Sequence, residues 1–342
     1  MNELRDSGVD PLIIDAGDLF FSTANLNSKN KTSELYRASA ILEGYNRVGC
    51  DAINVGHYEV LNGLSFLKSM EEKTEIHFLS ANLRDSQTND LLFEPFLIIE
   101  KESLKVGIVG VTDKLPDTTK SMIAENYVEA GNHYIDEASK QADIIVIMVN
   151  SDRKTYSELP TLFANADFIV TSGSTNMTRE NTRQKEGGPF LYSCGKQGKY
   201  MSVLSVEMED AKAPIVDISS HEKNISSIRK RFERLQKKDP NKSLEELYAG
   251  QANVLKIIEQ NRNKLKESET AIKSALNTLT FETIALNRKI KDNPELLAFV
   301  DESLATCSSL KPKAAKTRTK SKSNKQGKPQ PKPKKNHIGH DH

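Results

Sequence analysis

The sequence predicts an α/β fold for residues 1–218. Short apolar runs, several of them rich in β-branched residues, recur here and end in Gly, Asn or Asp, which is typical of buried strands that lead into loops. Helical patterns lie between them, for example at 34–48 and 64–72. Strands that alternate with helices favour a layered structure in which helices cover sheets. The runs are 12–14, 52–55, 76–79, 96–99, 106–109, 144–149, 168–170 and 203–206.

Residues 219–310 differ in composition, and the sequence predicts a helical, coiled-coil-like extension for them. Glycine becomes rare, while Lys, Glu, Asn and Leu dominate. A row of residues spaced by seven, of which six of seven are apolar, predicts a long helix with a coiled-coil-like seam, which either runs unbroken over residues 243–291 with a narrowing seam or bends back as a hairpin. We expect this helix to serve packing, self-association or contact with a protein partner. The row consists of Leu244, Gln251, Ile258, Leu265, Ile272, Leu279 and Leu286.

The net charge of +1 is distributed unevenly along the chain. Residues 311–342 contain 11 of the 48 basic residues and one of the 47 acidic residues, which leaves 37 basic and 46 acidic residues, a net charge of −9, on residues 1–310. Because residues 311–336 combine Lys, Pro, Ser and Gln with almost no apolar side chain, a disordered tail is predicted, with a His-rich end at 337–342. Such a tail either binds polyanions, such as nucleic acid or anionic lipid, or stays solvated without a partner.

Cysteine spacing and apolar run length exclude several classes of site. Cys50, Cys194 and Cys307 lie far apart and form no Cys-x-x-Cys pair, which excludes a zinc knuckle and a c-type haem attachment site. No run approaches the roughly 18 apolar residues of a membrane-spanning helix. The polar N-terminus lacks the apolar region of a signal peptide, so the chain as written is expected to remain soluble where it is made.

Four further segments share one resemblance by their order and spacing. Pro-Leu-Ile-Ile-Asp-Ala-Gly-Asp occupies 11–18, Ser-Ala-Asn 80–82, Lys-Val-Gly-Ile-Val-Gly-Val-Thr 105–112 and Gly-Lys-Tyr 198–200. Together they resemble the 5′-nucleotidase and UDP-sugar hydrolase-like branch of the calcineurin-like metallophosphoesterases, over residues 8–210. The resemblance implies that residues 1–218 form a four-layer α/β/β/α sandwich, with two mixed sheets between helices.

The same resemblance places Asp18 at the carboxylate that bridges two metal ions in the family. A shared anion is needed there because two dications about 3.5–4 Å apart repel each other. The family's Gly-Asn-His-Glu loop corresponds to residues 56–59, where His57 stands at the metal-ligating Asn and Tyr58 at the catalytic His. Asp18 and His57 are therefore candidate metal ligands. Glu59 is predicted to be a structural hydrogen-bond acceptor.

Other ligand positions of the family are substituted or missing. Asn150 stands where the family has a metal-ligating His, and Ser-Gly-Ser-Thr at 172–175 replaces the family's Gly-His-Ser-His. Only 17 residues precede Asp18, so the family's first strand, with its Asp-x-His ligands, is not expected in this chain. Asn150 is the third candidate metal ligand, since its amide oxygen can still bind a cation. A divalent metal ion is implied by the resemblance alone, and no catalytic residue is assigned.

Two functions stay open at this point. One is a degenerate hydrolase that acts as a binding or scaffold module, with the helical extension making the contact to its partner. The other is an active, metal-dependent phosphoester hydrolase of the same lineage with a remodelled metal site. The family's second domain, which grips the nucleoside, has no counterpart, and the family's periplasmic or extracellular location is not matched by a signal peptide. The substrate and the location are therefore not assigned.

Overall fold

The computed structural model describes residues 2–117, 119–179, 182, 184, 187–195 and 198–311. Each apolar run overlaps a strand, and both helical patterns form helices, as predicted. The strands are β1 (Ile14–Asp15), β2 (Ala52–Asn54), β3 (His77–Leu79), β4 (Leu83–Asp85), β5 (Phe96–Lys101), β6 (Leu104–Thr112), β7 (Met122–Ala124), β8 (Ile144–Asn150), β9 (Phe168–Ser172), β10 (Phe190–Ser193), β11 (Tyr200–Met208), β12 (Ile215–Asp217) and β13 (Asn277–Ala285). The helices are α1 (Asn2–Asp6), α2 (Lys31–Val48), α3 (Leu64–Glu71), α4 (Tyr127–Ala138), α5 (Leu159–Leu162), α6 (Ser219–Gln236), α7 (Leu244–Leu247), α8 (Ala252–Ser274) and α9 (Pro294–Ser309).

Two largely parallel sheets determine where loops meet. The first sheet has the order β1-β2-β3, with every pair parallel. The second has the order β10-β9-β8-β6-β5 and is parallel except for β5, which runs antiparallel to β6. Parallel strands end at a common edge of their sheet, so loops after neighbouring strands lie side by side. The loops after β1, β2, β8 and β9 converge in this way.

The hydrophobic cores give the molecule a helix–sheet–sheet–helix order. Strand β8 contributes to two cores, because alternate side chains point to opposite faces of a sheet. Ile145 and Ile147 pack with α4 and α5, while Val146 and Met148 pack with residues of the first sheet. The first sheet packs its other face on α2 and α3, through residues such as Phe78. This is the layer order that the resemblance implied.

Buried polar side chains connect the two sheets close to the converging loops. Asn54, at the end of β2, is fully buried, and its Nδ2 donates to the carbonyl oxygens of Ala16 and Val111, each at 3.1 Å. Thr112 lies at the end of β6, and its hydroxyl donates to the carbonyl oxygen of Val55 at 2.6 Å. A buried carbonyl must find a donor, so these bonds hold the two sheets in a fixed position relative to each other.

The prediction of a long helix over residues 243–291, unbroken or bent back as a hairpin, is wrong. Helix α8 ends at Ser274, and β13 follows as the central strand of a third sheet with the order β11-β13-β12. Leu279 is fully buried in the core between the sheets, whereas Leu286 is 48% exposed. Within β13, residues 278–281 read Thr-Leu-Thr-Phe, a short polar–apolar alternation of period two that is typical of a strand. Leu279 and Leu286 also continue the seven-residue row from Ile272, so this stretch fits both a helix pattern and a strand pattern.

The rest of the segment 219–310 is mainly helical, and its helices pack on one another and on α2. Helix α6 packs on α8 with Ile228 and Ile258 buried at the contact. Helix α9 packs on α2, where the Arg47 guanidinium lies 4.1 Å from the centre of the Phe299 ring. Thus residues 219–310 are not helical throughout. The predicted tail lies outside the described residues except for Lys311, and so do its polyanion and His-rich predictions.

Among the described residues, every helix is too short or too polar to cross a bilayer.

Candidate functional site

Asp18 lies in the loop that follows β1, in an uncommon backbone conformation. Its φ is 64°, in the left-handed region, and the preceding Gly17 has a φ of 97°. Only glycine fits at position 17, because a Cβ there would lie 2.7 Å from the carbonyl oxygen of Asn54. The Asp18 carboxylate accepts the backbone N–H of Tyr58 through Oδ1 at 3.0 Å. The loop after β2 therefore fixes the predicted bridging carboxylate in place.

Glu59 also connects the loop after β1 with the loop after β2. Its side chain is fully buried at the start of a 3₁₀ turn, Glu59–Asn62. Oε2 accepts the backbone N–H groups of Asp18 at 2.8 Å and Gly56 at 2.9 Å. Oε1 accepts those of Leu19 at 2.6 Å and Phe20 at 3.3 Å. The prediction that Glu59 is a structural hydrogen-bond acceptor is confirmed.

The surroundings of Glu59 favour its neutral form. Burial raises the pKa of Glu59 from 4.5 to about 7, and the negative charge of Asp18 adds to the increase. The N–H groups of Leu19 and Asp18 lower the pKa but do not compensate. Burial also raises the pKa of Asp15, against the hydrogen bond that it accepts from the Tyr45 hydroxyl at 2.7 Å.

We expect the free energy of unfolding to fall by about 2 kcal/mol between pH 5 and pH 7 as Glu59 ionises. The folded protein keeps the Glu59 proton up to about pH 7, whereas the unfolded chain releases it near pH 4.5. The folded state therefore binds more protons in this window, and raising the pH favours unfolding. Urea unfolding curves across this range measure the slope. Glu59→Gln removes the titrating group and should flatten it, so an unchanged slope in this variant would contradict the assignment.

Asn150, at the end of β8, holds three loops together through its amide. The side chain is buried, and its Oδ1 accepts the backbone N–H of His57 at 3.0 Å. Its Nδ2 donates to Ser172 Oγ at 2.8 Å, and that hydroxyl donates to the carbonyl oxygen of Ala16 at 2.5 Å. The amide oxygen predicted to bind a metal is thus engaged with backbone. The role of Ser172 as the link has no signal in the sequence, where Ser172 is only one residue of a substituted motif.

The His57 ring makes a contact separate from the hydrogen bond that the His57 backbone makes to Asn150. Its Nδ1 is 3.3 Å from the carbonyl oxygen of Lys114, and its centre is 5.9 Å from that of the Tyr58 ring. The structure therefore brings the backbone of His57 to Asn150, but engages its imidazole with another loop. Whether His57 ligates a metal stays a prediction.

Gly173 marks the point where Asp18 and Asn150 come together. A Cβ built at this position would lie 3.6 Å from Asp18 Oδ2 and 3.5 Å from Asn150 Nδ2. The same Cβ would lie 2.8 Å from the carbonyl oxygen of Ser151, and the φ of Gly173 is 88°. The backbone here does not accept the histidine that the family motif has at this position without a shift of the loop.

The described residues do not fit a two-metal centre. Such a centre needs several nitrogen and oxygen ligands fixed around both ions. Within the described ranges, no group of three or more His, Cys, Asp and Glu side chains is placed to hold a metal ion. The Glu59 carboxylate is occupied by four N–H groups and the Asn150 oxygen by one. Asp18 offers an anionic oxygen, Oδ2, next to Gly173.

Several curated proteins are similar in sequence to parts of the chain. The chain is 28% identical over 138 residues to the protein UshA of Salmonella pullorum, a stretch that covers 40% of the chain and 24% of that protein. It is 33% identical over 102 residues to the 5′-nucleotidase of Vibrio cholerae, covering 30% of the chain and 18% of the relative. The chain is a relative of the 5′-nucleotidases. A probable 5′-nucleotidase of Treponema pallidum is 25% identical over 189 residues, covering 52% of the chain and 30% of that protein.

Solved structures place this 5′-nucleotidase relative in the calcineurin-like phosphoesterase fold. The sulfate thiohydrolase SoxB of Thermus thermophilus superposes with a TM-score of 0.51 at 18% identity, over 60% of the chain and 38% of that structure. The calcineurin-like phosphoesterase YfkN of Bacillus subtilis superposes with a TM-score of 0.50 at 18% identity, over 62% of the chain and 75% of that structure. No protein-family model matches the chain. The matched stretches span less than a third of the curated relatives' length, so they establish kinship and fold but not activity.

Proposed function

We propose that this 5′-nucleotidase relative is catalytically degenerate and acts as a binding or scaffold module. The observation that supports this most directly is the Asn150 amide, which bonds the His57 backbone and Ser172 at the position of a family ligand. Hydrogen bonds thus hold these loops together here, whereas metal ligation holds them together in an active family member. A site built in this way is stable without an ion.

The chemistry of the substituted positions supports the same proposal. Hydrolysis of a phosphoester in this family depends on metal ions that activate a water molecule and neutralise charge on the phosphoryl group. Tyr58 stands at the position of the catalytic histidine, and its phenol replaces the imidazole that accepts and donates protons near neutral pH. Gly173 supplies no side chain at another ligand position.

We expect the purified chain to bind well below one equivalent of Mn²⁺ or Zn²⁺ and to show no turnover of bis-p-nitrophenyl phosphate or AMP above background. After incubation with each metal and gel filtration, elemental analysis measures the bound ion. An active 5′-nucleotidase treated in parallel is the positive control. Asp18→Ala should leave both readouts unchanged.

The alternative is an active, metal-dependent phosphoester hydrolase with a remodelled site. The retained Asp18 carboxylate, with Oδ2 facing Gly173, favours it. Stoichiometric metal together with turnover, both abolished by Asp18→Ala, would establish this alternative and overturn the proposal of degeneracy. We further propose that the α6–α8 pair is the part of the module that contacts its protein partner. An extracytoplasmic location stays a prediction from the resemblance.

A further inference from the structure

One end of the third sheet forms a surface that the candidate site does not use. Strand β11 begins where β13 ends, since Tyr200 pairs with Ala285. The next step of the ladder continues past the strands, because the Leu286 N–H donates to the carbonyl oxygen of Lys199 at 2.8 Å. Residues 198–200 and 286–291 therefore lie together at this end, which we name the sheet tip.

The sheet tip exposes three large apolar side chains. Tyr200 is 39% exposed, Leu286 48% and Ile290 39%. Leu286 and Ile290 flank a folded turn, whereas Tyr200 begins β11. Asn287 Oδ1 accepts the Lys289 N–H at 2.9 Å, and the Ile290 N–H donates to the carbonyl oxygen of Asn287 at 3.0 Å. Ordered apolar groups in water at a folded turn indicate a contact surface.

Four cations lie in the same two segments as these apolar groups. Lys199, Arg288, Lys289 and Lys291 are all exposed, and Asp292 is the one acidic residue in the segments 198–200 and 286–292. The combination contrasts with the body of the chain, because residues 1–310 carry a net charge of −9. A locally basic and apolar turn on an acidic body selects partners that are both negatively charged and apolar beneath the charge.

We propose that the sheet tip docks on the surface of an anionic lipid bilayer. Leu286, Ile290 and the Tyr200 ring enter the interfacial region, while the four cations contact lipid phosphates and carboxylates. A phosphodiester backbone would satisfy the cations but would leave Leu286 and Ile290 in water. A second copy joined through the same surface would bring like charges together. The bilayer is the partner that both kinds of side chain fit, and the proposal does not depend on the state of the hydrolase site.

Sedimentation with phosphatidylcholine vesicles, with and without phosphatidylglycerol, tests the proposal on the full chain. We expect binding only to the anionic vesicles. Reversing two charges with Arg288→Glu and Lys289→Glu should lower the partition constant by about 30-fold or more. Replacing the apolar pair with Leu286→Ser and Ile290→Ser should lower it by about 10-fold. Unchanged thermal melting will show that each variant is folded.

Matched control variants separate the sheet tip from other exposed groups. Lys230→Glu with Arg231→Glu reverses two exposed charges on α6, and Leu297→Ser with Leu304→Ser changes two side chains of α9 that are 42% and 57% exposed. Both pairs should leave vesicle binding within about twofold of the parent chain.

Three outcomes would overturn the proposal. In the first, the two sheet-tip variants bind vesicles like the parent chain, which would assign any binding to the basic tail or to general charge. In the second, the chain binds duplex DNA and not vesicles, and loses that binding with the charge reversal alone. In the third, sedimentation velocity shows a dimer that Leu286→Ser with Ile290→Ser dissociates.

Discussion

Leu279→Ala is expected to lower the free energy of unfolding by about 2–5 kcal/mol. Leu279 is fully buried in β13, where it packs in the core between the sheets with Phe281 and Tyr192. Truncation removes buried methyl and methylene groups and leaves a cavity that β11 and β12 limit on both sides. Chemical denaturation followed by circular dichroism measures the loss.

Leu286→Ala is the matched control for this experiment. Leu286 follows Leu279 by one heptad in the row that predicted a helix, so a helical seam would give both substitutions a similar cost. In the structure Leu286 is 48% exposed, and its truncation should change the free energy of unfolding by no more than about 0.5 kcal/mol. Equal losses at the two positions would contradict the strand assignment.

Glu59→Ala is expected to cost about 3–5 kcal/mol of unfolding free energy. The substitution leaves four backbone N–H groups, those of residues 18, 19, 20 and 56, without their acceptor. Glu59→Gln should cost less than alanine but still destabilise, because its amide keeps one acceptor oxygen and turns an NH₂ donor toward N–H donors. Denaturant unfolding measures both variants near neutral pH.

Glu43→Ala provides the comparison for Glu59. Glu43 is 46% exposed and pairs with Arg47 on the surface of α2 at 2.8 Å, so its removal should cost no more than about 0.5 kcal/mol. Amide hydrogen exchange adds a local readout, since the protection of Leu19 and Phe20 should fall in Glu59→Ala and persist in Glu43→Ala. A Glu59→Ala protein as stable as Glu43→Ala would show that water satisfies the four donors.

The sequence was sufficient for eight of the twelve strands described in residues 1–218 and for helices α2 and α3, because burial on one or both faces leaves a periodic apolar pattern that can be read directly. It was insufficient for β13. There, Leu279 falls on a heptad register, and the Thr-Leu-Thr-Phe alternation at 278–281 is too short to outweigh it. A strand in the centre of a sheet is stabilised by its neighbours, and β11 lies far from β13 in the chain. Such long-range pairing cannot be read from a local pattern.

The site was predictable in part. The acceptor role of Glu59 follows from a motif that the family shares. The directions of the side chains did not follow. Nothing in the residue order indicates that the Asn150 oxygen binds the His57 backbone while the His57 ring turns to Lys114. Those outcomes depend on which donors and acceptors face each other once the loops have assembled.

Strand β13 also has a consequence for how the chain reaches its native state. In the described part of the chain, β11 and β12 each pair with β13 and not with each other. During synthesis, both strands therefore leave the ribosome before β13 does. Their edges stay unpaired until α6, α7 and α8 have been made and residues 277–285 can insert between them. Non-local pairing of this kind is slow, and a waiting apolar edge is open to aggregation. A chain cut at residue 218, where the composition changes, would lack β13, the strand with which both β11 and β12 pair.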